Sequence, residues 1–205
     1  MIPRVVPVDP ARPCPEAIDE AVAVLRGGGL AVFPTETFYG LGAAMDREDA
    51  LGRVFLAKGR PEDKPLLVLV SSIAMATTVA EVPALARELM ARHWPGALTL
   101  VLRARPEVSP RLTAGTGTIG VRHSAHRVPS ALAEKLGEPI TAPSANRSGE
   151  PPPTTADAVL GAFGEQIAQI DLVLDAGPTP GGLPSTVLDL TVSPPLVRRA
   201  GAVAL

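Results

Sequence analysis

Cysteine is almost missing from this chain. Cys14 is the only one in 205 residues, so no intrachain disulfide can form and no cysteine cluster can hold a metal. That usage suits a reducing compartment. Aromatics are nearly as scarce: one Trp, one Tyr and four Phe make up 3% of the chain. A core must therefore be built from Ala, Val and Leu, and stacking platforms for RNA bases are lacking. Excess positive charge is absent too, with 19 Lys and Arg against 21 Asp and Glu and a formal net charge of −2. A dedicated nucleic-acid binder is normally basic, so any RNA contact here has to be local and weak. The strongest apolar run, Leu66 to Val70, is far too short to cross a bilayer. The segment Met1 to Val6 offers no long apolar stretch after its basic residue, as a signal peptide would require. The expectation is a cytoplasmic protein without membrane contact.

What is present indicates an ordered domain. Hydrophobic residues reach 46% and charged residues 20%, a globular balance. The length suits one domain over residues 1–205, and no linker or internal repeat divides it. The 23 Pro and 19 Gly are dispersed, which predicts many tight loops. Helical periodicity predicts a first helix over Pro15 to Arg26, opened by a proline and stopped by Gly27-Gly28-Gly29. Further helices are predicted over Asp46 to Ala57, Pro83 to His93, Pro129 to Leu136 and Thr155 to Phe163. Short apolar runs predict strands at Leu30 to Phe33, Leu66 to Val70, Ala97 to Arg103, Thr118 to Arg122 and Ile140 to Ala142. Three more follow at Leu172 to Asp175, Thr186 to Leu190 and Leu196 to Arg198. Helices interleaved with short strands indicate an α/β fold, a twisted open mixed sheet with flanking helices.

Four polar segments interrupt this pattern. Pro34-Thr35-Glu36-Thr37-Phe38-Tyr39-Gly40-Leu41-Gly42 follows a predicted strand directly, where α/β proteins usually hold ligands, although a turn with a solvated Glu36 has the same composition. Lys58-Gly59-Arg60-Pro61-Glu62-Asp63-Lys64-Pro65-Leu66 places three cations in one proline-pinned loop that could hold a polyphosphate. A helix C-terminus also favours cations, which accounts for Lys58 but poorly for Lys64. Ala142-Pro143-Ser144-Ala145-Asn146-Arg147-Ser148-Gly149 offers hydroxyl and amide groups suited to a ribose, phosphate or carboxylate, yet such residues are also ordinary loop material. Pro180-Gly181-Gly182-Leu183-Pro184-Ser185-Thr186-Val187 enters a strand and could equally be a plain turn.

Taken together and in order, with Trp94-Pro95-Gly96-Ala97-Leu98-Thr99-Leu100 and Gly120-Val121-Arg122, these segments resemble the YrdC-like family, the threonylcarbamoyl-AMP synthases of tRNA modification. The resemblance spans Leu30 to about Gly201 and is to the short, single-domain form. It implies a concave groove holding ATP and L-threonine, with bicarbonate as third substrate and Mg²⁺ accompanying the nucleotide. It also implies, as partner, the transferase complex that uses the product on a tRNA adenosine next to the anticodon. By position, Lys58, Arg60, Ser144 and Asn146 form the family's signature constellation and are the expected catalytic set. Arg60, Lys64, Thr118, Asn146, Thr154 and Arg199 fall at nucleotide contacts; Thr37, Tyr39, Arg122, Ser144 and Ser185 fall at threonine contacts. Lys58 and Arg60 are expected to neutralise phosphate charge, so that losing either costs rate rather than folding. No residue is singled out as a metal ligand: His123 and His126 lack metal-like partners and read as loop residues.

Leu69 departs from the pattern, standing where many relatives carry a His, and so does the stretch His123 to His126. Two other functions share these features. An RNA-binding module without catalysis would use the same groove for phosphates, against the acidic net charge. A carbamoyl-adenylate domain of hydrogenase maturation shares the chemistry but normally sits in a larger chain with zinc-binding cysteines.

Overall fold

The computed structural model describes residues 2–205. In chain order its strands are β1 (Arg4–Pro7), β2 (Ala31–Phe33), β3 (Gly40–Gly42), β4 (Leu67–Leu69), β5 (Leu98–Arg103), β6 (Thr118–Arg122), β7 (Ile140–Thr141), β8 (Leu172–Asp175), β9 (Thr186–Asp189) and β10 (Leu196–Arg199). The helices are α1 (Pro15–Arg26), α2 (Glu48–Lys58), α3 (Ile73–Val79), α4 (Ala84–His93), α5 (Pro110–Thr113), α6 (Arg127–Leu136) and α7 (Ala156–Ala162), with a 3-10 helix over Gly164–Gln169. No helix among the described residues is long and apolar enough to cross a membrane.

The strands form two mixed sheets rather than one. Four strands run in the order β1-β8-β2-β3, and six in the order β10-β9-β5-β6-β4-β7. Strands β2 and β8 of the four-stranded sheet are buried on both faces, which explains why they read as continuous apolar runs, whereas the edge strand β1 is mostly exposed. Alternation divides the side chains of β2 and β8. Ala31, Phe33, Leu172 and Leu174 pack under α1 and α6, while Val32 and Val173 join the core shared with the larger sheet. Helix α1 covers the first of these layers with Ala17, Ile18, Ala21, Val22 and Leu25, a stripe at helical spacing.

Along β5 the six-stranded sheet packs one face and opens the other. Leu98, Leu100 and Leu102 of β5 enter the core, whereas Thr99 and Val101 line an open groove. Period-two alternation thus separates the packing residues from the ligand-facing ones on the same strand.

Several boundaries shift from the sequence reading. Helix α2 begins at Glu48 with Arg47 as a cap that makes no side-chain bond, so Asp46 does not open it. Thr155 and Ser72 do cap α7 and α3, their hydroxyls accepting from Ala158 and Met75 amides. Strands β1 and β3 and helices α3 and α5 are additional to the predicted elements. β3 lies inside the Gly-rich motif: a Cβ on Gly42 would sit 2.6 Å from Phe33 Cε1, and one on Gly40 would sit 3.2 Å from Phe33 Cε2. The motif's two glycines therefore make room for a core aromatic ring.

Candidate active site

Two adjoining cavities lie along the open face of the larger sheet, of about 520 Å³ and 280 Å³. They share Leu67, Ser144 and Arg199 as a common wall. The larger takes in Lys58, Arg60, Lys64, Thr118 and Asn146; the smaller takes in Thr37, Tyr39, Arg122 and Ser185. The fold thus brings all the expected site residues except Thr154 to one groove. Thr154 lines neither cavity; its carbonyl accepts from the Thr179 amide at 2.8 Å beside the Gly181 turn.

The cationic loop starts at Gly59, whose left-handed conformation (φ 55°) ends α2 and turns Lys58 and Arg60 apart. Lys58 is 2% exposed, and its Nζ donates to the carbonyls of Ser144 at 2.5 Å and Asn146 at 2.7 Å. The Ser148 amide in turn donates to the Lys58 carbonyl at 2.8 Å. Lys58 therefore ties the cationic loop to the Ser-Asn turn, a role in folding that the sequence did not suggest. Burial first, then Arg60, push its pKa down to about 7; the two carbonyl acceptors oppose this by favouring the ammonium. Arg60 donates to the Pro65 carbonyl at 2.9 Å, holding the loop that carries Lys64. Burial also lowers its pKa, against the attraction of Asp63.

Asn146 Nδ2 donates to the carbonyls of Arg147 at 2.9 Å and Glu150 at 2.6 Å, which aligns the amide. Its Oδ1 is buried without a hydrogen-bond partner. A buried acceptor of this kind calls for a ligand donor or cation.

In the smaller cavity Arg122 is almost wholly buried, and its Nε donates to the Gly96 carbonyl at 3.2 Å. Its Nη2 lies 2.8 Å from Glu36 Oε1, yet out of line for a directed bond, so Nη2 retains an unmatched donor. Glu36 also accepts from the Ser124 hydroxyl and from the Ala125 amide at 3.1 Å. Burial raises the Glu36 pKa, but Arg122, with Ser124 and Ala125, outweighs it and holds the carboxylate below its ordinary value. Glu36 is thus not a solvated turn residue. Its place in the motif, one residue before Thr37, was the available signal.

Ser185 Oγ lies 2.9 Å from Thr99 Oγ1, and Arg199 Nη2 donates to it at 2.9 Å. Burial first, then Arg122, lower the Arg199 pKa, so two guanidiniums share one end of the groove. Thr37 Oγ1 meets Thr35 Oγ1 at 3.0 Å, and its carbonyl accepts from the Gly181 amide at 2.9 Å. The Gly-rich turn is thereby latched over the smaller cavity. The Tyr39 hydroxyl is fully committed elsewhere, donating to the Gly177 carbonyl at 2.8 Å and accepting from the Ala176 amide at 3.2 Å. Burial pushes its pKa up to about 12. Tyr39 braces the cavity wall, and its hydroxyl is not available to a ligand.

Leu69 lines the smaller cavity, making that wall apolar. The two histidines lie in the loop between β6 and α6. His126 Nδ1 accepts from the Val128 amide at the start of α6, and His123 meets Trp94 edge-on with ring centres 6.4 Å apart. No group of three or more His, Cys, Asp or Glu placed to hold a metal exists among the described residues.

Comparison with known proteins adds three findings. The Sua5/YciO/YrdC family profile, described as "telomere recombination", matches residues 23–201. Threonylcarbamoyl-AMP synthases of Bacillus subtilis and Pyrococcus abyssi are 44% and 46% identical over 188 and 187 residues, 91% and 90% of this chain. The chain spans 54% of the length of each of these two relatives. The crystal structure of P. abyssi Sua5 complexed with L-threonine superposes with a TM-score of 0.91 at 42% identity, over 97% of this chain and 57% of that one.

Proposed function

The chain belongs to the Sua5/YciO/YrdC family, and from that premise we propose that it condenses L-threonine, bicarbonate and ATP into threonylcarbamoyl-adenylate with release of pyrophosphate. The observation that carries the reading is the pair of cavities meeting at Leu67, Ser144 and Arg199, one lined by cations and the other by the buried Arg122 guanidinium, which is paired with Glu36 but keeps a donor at Nη2. ATP occupies the larger cavity, its phosphates towards Arg60, Lys64 and Arg199. Threonine occupies the smaller, its carboxylate on Arg122, whose planar fork suits a carboxylate. The P. abyssi relative is titled as a complex with L-threonine, which supports the choice of amino acid.

In the reaction the threonine amine attacks bicarbonate carbon, forming the carbamate C–N bond and losing water. A carbamate oxygen then attacks the α-phosphorus of ATP, and the α–β bridging P–O bond breaks to release pyrophosphate. The chain's contribution is position and charge: the shared wall sets the carbamate against the α-phosphate while arginines offset developing negative charge. Lys58 acts by fixing the Ser144–Asn146 turn, with Ser144 at the junction of the two cavities.

Glu150 and Asn146, whose Oδ1 is unpartnered, line the larger cavity. They fit a magnesium ion held chiefly by phosphates and water rather than by a protein cage. Such an ion would supply neutralisation of phosphate charge.

The wider reading places the chain in the cytoplasm as a single domain, delivering its product to a tRNA-modifying transferase complex with only weak tRNA contact of its own. The decisive experiment assays pyrophosphate with ATP, bicarbonate and each of several amino acids, identifying the product by mass. Release requiring both threonine and bicarbonate is expected; equal release without threonine would remove this reading.

A further inference from the structure

Away from the groove, a cavity of about 460 Å³ opens where β5 and β9 end, beneath the α3–α4 connection. Leu102, Val82 and Leu190 give it an apolar floor, and Arg87, Arg103 and Arg105 stand around it. Backbone bonds make this rim firm. The Glu81 amide donates to the Arg103 carbonyl at 2.9 Å and the Arg105 amide to the Val79 carbonyl at 2.9 Å, flanking a bridge between Ala80 and Ala104.

The charge here is not balanced. Among the described residues, Arg87, Arg103 and Arg105 have no carboxylate within ion-pair distance, and Glu81 is the one carboxylate of the lining. Only Arg105 makes a side-chain bond, from Nε to the Thr77 carbonyl at 3.3 Å. On a chain with net charge −2, three unneutralised guanidiniums around an apolar floor favour an anion over mere solvation. Arginine forks match phosphate oxygens in pairs, and the volume falls in the range of small-molecule sites.

We propose that this cavity is a second polyphosphate site, separate from the groove, which takes a di- or triphosphate either as inorganic pyrophosphate or as part of a nucleotide. Phosphates lie against the three arginines, and a nucleoside, where present, covers Val82 and Leu190. The proposal does not depend on the catalytic reading, because none of its residues borders the groove.

The test is calorimetric titration of pyrophosphate and of ADP into the wild-type chain, Arg103→Ala/Arg105→Ala, Arg87→Gln and Lys64→Ala. Two classes of binding are expected in the wild type. The double variant should lose one class, Arg87→Gln should weaken the same class about tenfold, and Lys64→Ala should weaken only the other. ADP binding more tightly than pyrophosphate at the arginine-dependent class assigns the nucleotide; equal affinity assigns pyrophosphate. Unchanged melting temperatures are expected, since these side chains are exposed. The proposal is overturned if the double variant binds like wild type, or if a single class is present and Lys64→Ala alone removes it.

Discussion

Replacing Lys58 with Ala separates a folding role from a purely catalytic one. The change removes two short bonds, from Nζ to the carbonyls of Ser144 and Asn146; the Ser144 carbonyl keeps the Asn146 amide as a donor, and the Asn146 carbonyl is left unmatched. At about 1–3 kcal/mol for one buried group left unmatched, the loss is about 1–3 kcal/mol. For a chain of this size that corresponds to roughly 2–12 °C in melting temperature. The size of the effect should depend on pH. Burial and Arg60 depress the Lys58 pKa to about 7, so between that value and the ordinary lysine value the folded state binds fewer protons than the unfolded one. Stability from this group therefore rises with pH through that window and is least below pH 7. The melting-temperature gap between wild type and Lys58→Ala should be smallest near pH 6.5 and clearly larger at pH 9, partway to the ordinary lysine value. Calorimetric scans at both pH values, paired with turnover at pH 8, make the comparison. Equal melting temperatures at both pH values with turnover abolished would refute this reasoning and return Lys58 to direct action on the phosphates.

Arg122→Ala should weaken threonine binding about tenfold to a hundredfold, because a charge-assisted clamp is lost; unchanged affinity by calorimetry would remove that role. Glu36→Gln leaves Arg122 buried without its counter-charge, so the threonine KM should rise more than kcat falls, and an unmoved KM would count against it. The Glu36 pKa is depressed, so the wild type's stability advantage over that variant should be complete above the ordinary carboxylate value and vanish as pH falls through the depressed one. Acid unfolding curves crossing in the opposite sense would contradict the ion pair. Gly42→Ala forces a methyl to 2.6 Å from Phe33 Cε1 and should cost about 1–3 kcal/mol by overpacking, with an unaltered urea midpoint as the refuting result.

The sequence by itself determined the fold class and most helices. Those features rest on local signals, the stripe of α1 and the apolar runs of β5 and β8, whereas the expected groove residues came from the resemblance of six ordered motifs to the YrdC-like family. Even the division of labour along β5 is local, because alternation sends Leu98, Leu100 and Leu102 inward and Thr99 and Val101 to the groove. Only the tertiary structure decided what depends on partners distant in the chain. Two sheets rather than one result from pairings such as β1 with β8, which no local pattern encodes. Lys58 looked like a helix-end cation; 86 residues of separation concealed that its ammonium belongs to the Ser144 carbonyl. Tyr39 sat inside a ligand motif, but its hydroxyl is taken by Gly177, 138 residues away. Glu36 could not be told from a solvated turn residue until the fold set Arg122 against it. The three unpaired arginines of the outer cavity depend on α4 meeting the end of β5. Periodicity acts through neighbouring residues and is written in the chain, whereas a buried polar atom is matched by whatever the fold brings to it.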